Sequence, residues 1–365
     1  MRRSRVGVHR TVREAHDMDM ARISALSAAL PPTSLEQREL AGLLPSGHPG
    51  REVLHRIVAG SGIARRRMAV DPRVEDVSRW STAVRMRRFQ EEGLPLARRA
   101  VADALSEAGV APDGVGMLCL VSSTGYGTPG VDSRLVRDLG MSQSTQRLAV
   151  GHMGCFAALP GLAACVDFVA CHRRPAVLLN LELSSLHVQP PPWDTEQFVI
   201  NSLFGDAAVA MVVEHGGGRP GPVVLDRASH TAHEYEEHMT WEVGDEGFRM
   251  GLSAKIPDLI AARLPDLVDD LLRPHGLASR DVGWWAVHPG GRRIIDAAEE
   301  CLALPPEATA ASRRVLEEYG NCSSAGLPLV MAERQRADPL PPGRHGVAMT
   351  FGPGLTLYTA LLRGT

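Results

Sequence analysis

Strand-length runs that are apolar on both faces recur through this chain and alternate with helix-length segments, and no other feature restricts its fold as much. The runs 115–123, 147–153, 175–186, 206–213, 223–229, 284–287, 345–350 and 355–362 are rich in Val, Leu and Ala. Between them lie segments of helical period at 156–171, 256–275, 292–302 and 327–335. A strand with no polar side has to be covered on both faces. The chain is therefore expected to be an α/β protein with sheets sandwiched between helices. The first hundred residues read as mostly helical: 34–44, with Ser34 as a cap and Glu36 and Gln37 close behind, then 50–63 and 87–108. Residues 1–20 read as a loose extension. The run Gly216-Gly217-Gly218-Arg219-Pro220-Gly221-Pro222 is the expected boundary between two halves, 21–215 and 222–365. Gly154-Cys155-Phe156-Ala157-Ala158-Leu159-Pro160 echoes Asn321-Cys322-Ser323-Ser324-Ala325-Gly326-Leu327-Pro328, one segment in each half, as a duplication would leave.

With 365 residues, 44% of them apolar, the chain can bury a large core or two. Lys+Arg 39 against Asp+Glu 42 gives a net charge of −3, so no strong pull toward nucleic acid or an anionic membrane is implied. The six cysteines form no CxxC pair and no zinc-type spacing with histidine, so neither a disulfide scaffold nor a structural metal is expected. The basic N-terminus lacks the apolar core of a secretory signal, and a cytoplasmic location is the expectation.

Cys155 stands where an apolar strand turns into an apolar helix, just after Gly154. The positive end of a helix dipole there is expected to lower its pKa toward the thiolate. Cys119, Cys165 and Cys171 lie inside apolar runs and read as small buried hydrophobes. His288 ends the run Trp284-Trp285-Ala286-Val287 and precedes Pro289-Gly290-Gly291, at the mouth of a buried strand. Asn321 lies at a turn before a helix, where asparagine is also common simply as a cap. Taken singly, each has a plain structural explanation.

Together they become specific. Gly154-Cys155-Phe156-Ala157, Trp285-Ala286-Val287-His288-Pro289-Gly290-Gly291, Tyr319-Gly320-Asn321-Cys322-Ser323-Ser324-Ala325 and Phe351-Gly352-Pro353-Gly354-Leu355-Thr356 occur in this order. The set resembles that of the type III polyketide synthases, the chalcone synthase-like family, from about residue 34 to the end. The resemblance implies a thiolase-like αβαβα layered fold of two similar halves. It also implies a homodimer and the iterative decarboxylative condensation of malonyl-CoA onto an acyl starter. By motif, Cys155 would carry the acyl chain, with His288 and Asn321 as its base partner and oxyanion donors. Phe204 and Phe248 match the two phenylalanines between the CoA tunnel and the cavity. Gly352, Pro353 and Gly354 match a loop of the cyclisation pocket. The chemistry agrees: thioester exchange needs an activated thiol, and the enolate left by decarboxylation needs N–H donors. No metal, flavin or nicotinamide is required. The expected partners are malonyl-CoA and a starter delivered on CoA or on an acyl carrier protein.

The plant pattern is not fully kept. Its pocket threonines fall on Ser123, Ser184 and His187, a cavity glycine on Met239, and a methionine that reaches the neighbouring subunit's cavity on Thr128; Ser323 keeps its serine. His187 and Met239 are expected to reduce the cavity, with Pro190-Pro191-Pro192-Trp193 near the same wall. Of three basic residues linked to CoA phosphates, Arg56 alone is kept, and Arg65, Arg66 and Arg67 are candidates to compensate. The rival readings are a β-ketoacyl-ACP synthase III-like enzyme and a non-catalytic thiolase-fold partner subunit. The Phe351-Gly352-Pro353-Gly354 ending disfavours the first, and the intact Cys, His and Asn disfavour the second.

Overall fold

The computed structural model describes residues 20–44, 47–48, 50–216 and 220–365. In chain order its elements are β1 (Ala21–Ala29), β2 (Thr33–Glu36), α1 (Arg51–Gly60), β3 (Arg65–Met68), α2 (Thr82–Ala108), β4 (Met117–Ser122), α3 (Val131–Asp138), β5 (Gln146–Gly151), α4 (Ala158–His172), β6 (Ala176–Glu182), α5 (Thr195–Leu203) and β7 (Ala207–His215). The second half continues with β8 (Val223–Thr231), β9 (Met239–Gly244), β10 (Gly247–Leu252), α6 (Ile256–Ala261), α7 (Leu264–Leu272), β11 (Val282–Val287), α8 (Arg292–Leu302), α9 (Ala310–Tyr319), α10 (Gly326–Ala337), β12 (His345–Gly352) and β13 (Thr356–Arg363).

Nine strands join in the order β11-β12-β13-β8-β1-β7-β6-β4-β5. The join between β1 and β8 is a single residue pair, Arg22 with Val223, so two sheets meet edge to edge there. The second sheet repeats part of the first. In one, β4 runs parallel to β6, then β7 and β1 follow antiparallel; in the other, β11 runs parallel to β12, then β13 and β8 follow antiparallel.

Strand alternation divides the core. Cys119 and Val121 of β4, Leu178 of β6, Trp284 and Ala286 of β11 and Ala348 of β12 share one apolar cluster with Leu159 and Leu162 of α4 and Leu327 and Val330 of α10. The opposite faces, through Leu118, Leu120, Val177 and Leu179, pack on α2. Those of the second sheet, through Trp285, Val287, Val347 and Met349, pack on α6, α7 and α8. The result is five layers, helix–sheet–helix–sheet–helix, with α4 and α10 in the centre. The segment Gly154–His172 is long and apolar enough to cross a membrane by composition, but it is this central core helix.

Several sequence expectations are corrected. Residues 21–29 form a central strand, and 33–43 form a short strand followed by a 3-10 turn, so the described part of the first hundred residues is not mostly helical. Segment 256–275 is two helices, with Pro257 and Pro265 each in a first turn. The run 175–186 ends as a strand at Glu182 and turns through a 3-10 segment, Ser184–His187. Cys171 is exposed, not buried like Cys119 and Cys165. The reading of the N-terminal extension concerns residues that lie, except for Met20, outside those described.

Candidate active site

Cys155 sits in a 3-10 turn, Gly154–Ala157, that leads β5 into α4. Gly154 has φ +71, and a methyl group on its Cα would come 2.6 Å from Pro353 Cδ, so only glycine fits between the turn and the Gly352-Pro353-Gly354 loop. Asn321 and Ser323 enter from the corresponding turn before α10. The backbone of Asn321 pairs with that of Phe204: Asn321 N–H donates to Leu203 O at 2.9 Å and Gly205 N–H to Asn321 O at 3.0 Å. Asn321 Nδ2 donates to Cys155 Sγ at 4.0 Å and to Gly290 O at 3.3 Å, and the Cys155 thiol donates to Ser323 Oγ at 3.8 Å. The amide is oriented by Ser323 N–H, which donates to its Oδ1 at 2.8 Å. The two echoing segments therefore meet at the thiol.

His288 follows the last residue of β11, its N–H donating to Met349 O at 2.9 Å as the ladder with β12 continues. It is 1% exposed, and neither ring nitrogen has a hydrogen-bond partner. Its ring lies against Gly326 at the start of α10, where a methyl group would be 3.1 Å from Cε1. Asn321 thus bridges the cysteine and the backbone two residues beyond the histidine.

Burial dominates the protonation of both groups. It pushes the Cys155 thiol up to about 12; the hydrogen bonds with Ser323 and Asn321 pull the other way, and Glu182 reinforces the rise. Burial pushes His288 down to about 3. Burial thus opposes the lowering of the Cys155 pKa expected from the helix dipole.

The sequence reading missed Glu182. It is fully buried at the end of β6 and accepts hydrogen bonds from Ser123 N–H (3.1 Å), Thr124 Oγ1 (2.8 Å), Ser323 Oγ (3.3 Å) and Ser324 Oγ (2.5 Å). Burial raises its pKa against all four. The available signal was a carboxylate inside the strand-length run 175–186.

A cavity of about 30 Å³ touches Cys155 and is walled by Ser123, Ser184, Phe204, Met239, Ser323 and Pro353 among others. His187 and Phe248 do not reach it; both line a second cavity. His187 Nδ1 accepts from Phe248 N–H at 3.0 Å, its Nε2 bonds Thr124 O at 2.7 Å, and its ring stacks on Phe248 at 4.4 Å. It is a clamp on β10, and the expectation that it shares a wall with Met239 is corrected. Thr128 lines a separate groove beside β5. Trp193 packs on Phe198 in a satellite cluster that includes Ala41 and Leu54, and neither it nor Pro190-Pro191-Pro192 lines either small cavity.

A larger open groove of about 560 Å³ is lined by Arg56, Arg292, Arg293, Leu203 and Gly290 among others. The triple arginine run does not reach it. Arg66 is buried, Arg65 pairs with Glu318 at 3.4 Å, and Arg67 donates to Pro32 O at 3.5 Å.

The models of the chalcone and stilbene synthase N-terminal and C-terminal domains match residues 9–217 and 228–365. A 1,3,6,8-tetrahydroxynaphthalene synthase from Streptomyces peucetius subsp. caesius is 33% identical over 93% of this chain and 92% of its own length. An alpha-pyrone synthesis polyketide synthase-like protein, Pks18, from Mycobacterium tuberculosis is 35% identical over 85% of this chain and 82% of its own. Among solved structures, PKS-I from the brown alga Ectocarpus siliculosus superposes with a TM-score of 0.89 at 30% identity, covering 95% of this chain and 98% of that one. The chain belongs to the chalcone and stilbene synthase family and is a thiolase-fold type III polyketide synthase.

Proposed function

We propose that the chain extends an acyl starter held as a thioester on Cys155 by repeated decarboxylative condensation with malonyl-CoA. The observation that carries this reading is the convergence on one thiol of Asn321 and Ser323 from the opposite half, where Asn321 Nδ2 also bonds the backbone of Gly290, two residues beyond His288 with its two unpartnered ring nitrogens. In loading, His288 takes the thiol proton as Sγ attacks the starter carbonyl. The Sγ–acyl bond forms, the carrier's C–S bond breaks, and the proton goes to the departing thiolate. In extension, loss of CO2 from malonyl-CoA leaves its electron pair as an enolate. The enolate oxygen is held by N–H groups of His288 and Asn321 Nδ2. Its carbon attacks the Cys155 thioester, the sulfur leaves, and the chain lengthened by two carbons remains on the carrier. Reloading onto Cys155 permits another round, until the chain cyclises or is released.

The groove lined by Arg56, Arg292, Arg293 and Gly290 is the approach assigned to the carrier. A homodimer is part of this reading, because β5 ends its sheet as an exposed edge. A reducing, cytoplasmic setting suits six free cysteines.

The test measures the two half-reactions apart, with labelled malonyl-CoA and a panel of starters. His288→Ala should impair loading and decarboxylation. Asn321→Ala should load normally and lose about 10²–10³ in decarboxylation. Normal decarboxylation by Asn321→Ala, or a wild-type enzyme that makes no condensation product, would overturn the reading.

A further inference from the structure

Arg66 Nη2, Ser184 Oγ, Gln197 Oε1 and Asn201 Nδ2 are buried atoms without a hydrogen-bond partner, and all four residues line the second cavity. Buried polar atoms are rarely left so, and their gathering in one place marks a site built for a polar group. Arg66 and Gln197 are held by their other bonds. Arg66 Nε donates to Gln37 Oε1 at 2.9 Å, and its Nη1 donates to Asn201 O at 3.0 Å and Phe204 O at 2.6 Å. Gln197 Nε2 donates to Met250 O at 3.0 Å, which fixes its Oε1 as the free end. The unfilled set is two N–H donors, one carbonyl acceptor and one hydroxyl. A keto oxygen accepts from the guanidinium and the amide, and an enol or hydroxyl donates to Gln197. A saturated alkyl end satisfies none of them.

This cavity and the one at Cys155 share four wall residues, Ser184, Phe204, Trp241 and Met250. Each is about 30 Å³, room for one or two waters. Trp241 stands on β9 with its indole pinned: Nε1–H donates to Ser123 O at 2.8 Å, and the ring meets His187 and Phe248 edge-on at 5.7 and 6.1 Å.

Building on the proposed condensation, we infer that Trp241 is the partition that sets chain length, and that the polar cavity behind it receives an oxygen-bearing end of the acyl chain. That end is either a keto group of the starter or a β-keto group laid down by extension.

The experiment compares acetoacetyl-CoA with butyryl-CoA, which carries a CH2 in place of the keto group, and weighs the products made with malonyl-CoA by mass spectrometry. Wild type is expected to prefer acetoacetyl-CoA. Trp241→Ala joins the cavities and should yield products longer by at least one malonyl-derived unit. Trp241→Phe, which keeps a ring against Phe248, serves the same test if the alanine variant does not fold. Asn201→Leu removes one donor. If the starter's oxygen is seated, the acetoacetyl-over-butyryl preference in single-turnover loading should fall about 5- to 10-fold. If the growing chain is seated, the loading preference stays while products shorten. Unchanged preference and product length in folded Trp241 and Asn201 variants, beside a wild type that condenses, would overturn this inference alone. A wild type that condenses no starter would overturn it together with the function on which it rests.

Discussion

Burial pushes the Cys155 thiol up to about 12 and the His288 imidazole down to about 3, and so opposes the proton exchange proposed between them. In the proposed loading step, charge separation is therefore expected only once substrate fills the site and a developing oxyanion can accept from Asn321 Nδ2. His187 shows the same burial effect without the chemistry. Its pKa is lowered to about 4 by burial, against the hydrogen bond to Thr124 O that raises it. An unfolded histidine titrates near 6.5. As pH falls through that value, the unfolded chain binds the proton and the folded one does not, so this residue withdraws stability between about 6.5 and 4. Wild type should lose on the order of 2 kcal/mol relative to His187→Gln between pH 7 and pH 5. Urea unfolding of both proteins at the two pH values measures this; a pH-independent difference would show that the ring is not held neutral.

Among the elements, those with an unbroken apolar period were legible: β4, β6 and β7, the central helix α4 and the long helix α2, which runs from a Ser81 cap to a left-handed Gly109. β1 was not. Its sequence, ARISALSAA, has the alanine content of a helix, and it is a strand because β7 pairs along it. The β9–β10 hairpin was also hidden, since its strands mix buried and exposed residues without clean alternation. Yet that hairpin positions Met239, Trp241 and Phe248, so the cavity wall was the least readable part of the site. Cys155, His288 and Asn321 could be found from motif order. Glu182, Trp241 and the clamp role of His187 could not, because each depends on contacts between segments far apart in the chain.

At the scale of the whole molecule, β5 ends the nine-stranded sheet with residues 146–149 and 151 exposed, and Tyr126 is 66% exposed in the adjoining loop. An open edge beside exposed apolar surface invites a second copy. Light scattering should give twice the 39.3 kDa chain mass, and Leu148→Arg should shift the protein toward a monomer of lower activity; a fully active wild-type monomer would contradict the dimer. Of two cysteines on echoing turns in the two halves, Cys155 and Cys322, only the first is expected to carry the acyl chain. The direct measurement is peptide mapping by mass spectrometry after brief exposure to an acyl-CoA starter, on wild type and on Cys155→Ala and Cys322→Ala. The acyl mass is expected on the Cys155 peptide of wild type and of Cys322→Ala, and absent from Cys155→Ala. An acyl mass on Cys322, or undiminished loading of Cys155→Ala, would contradict the account.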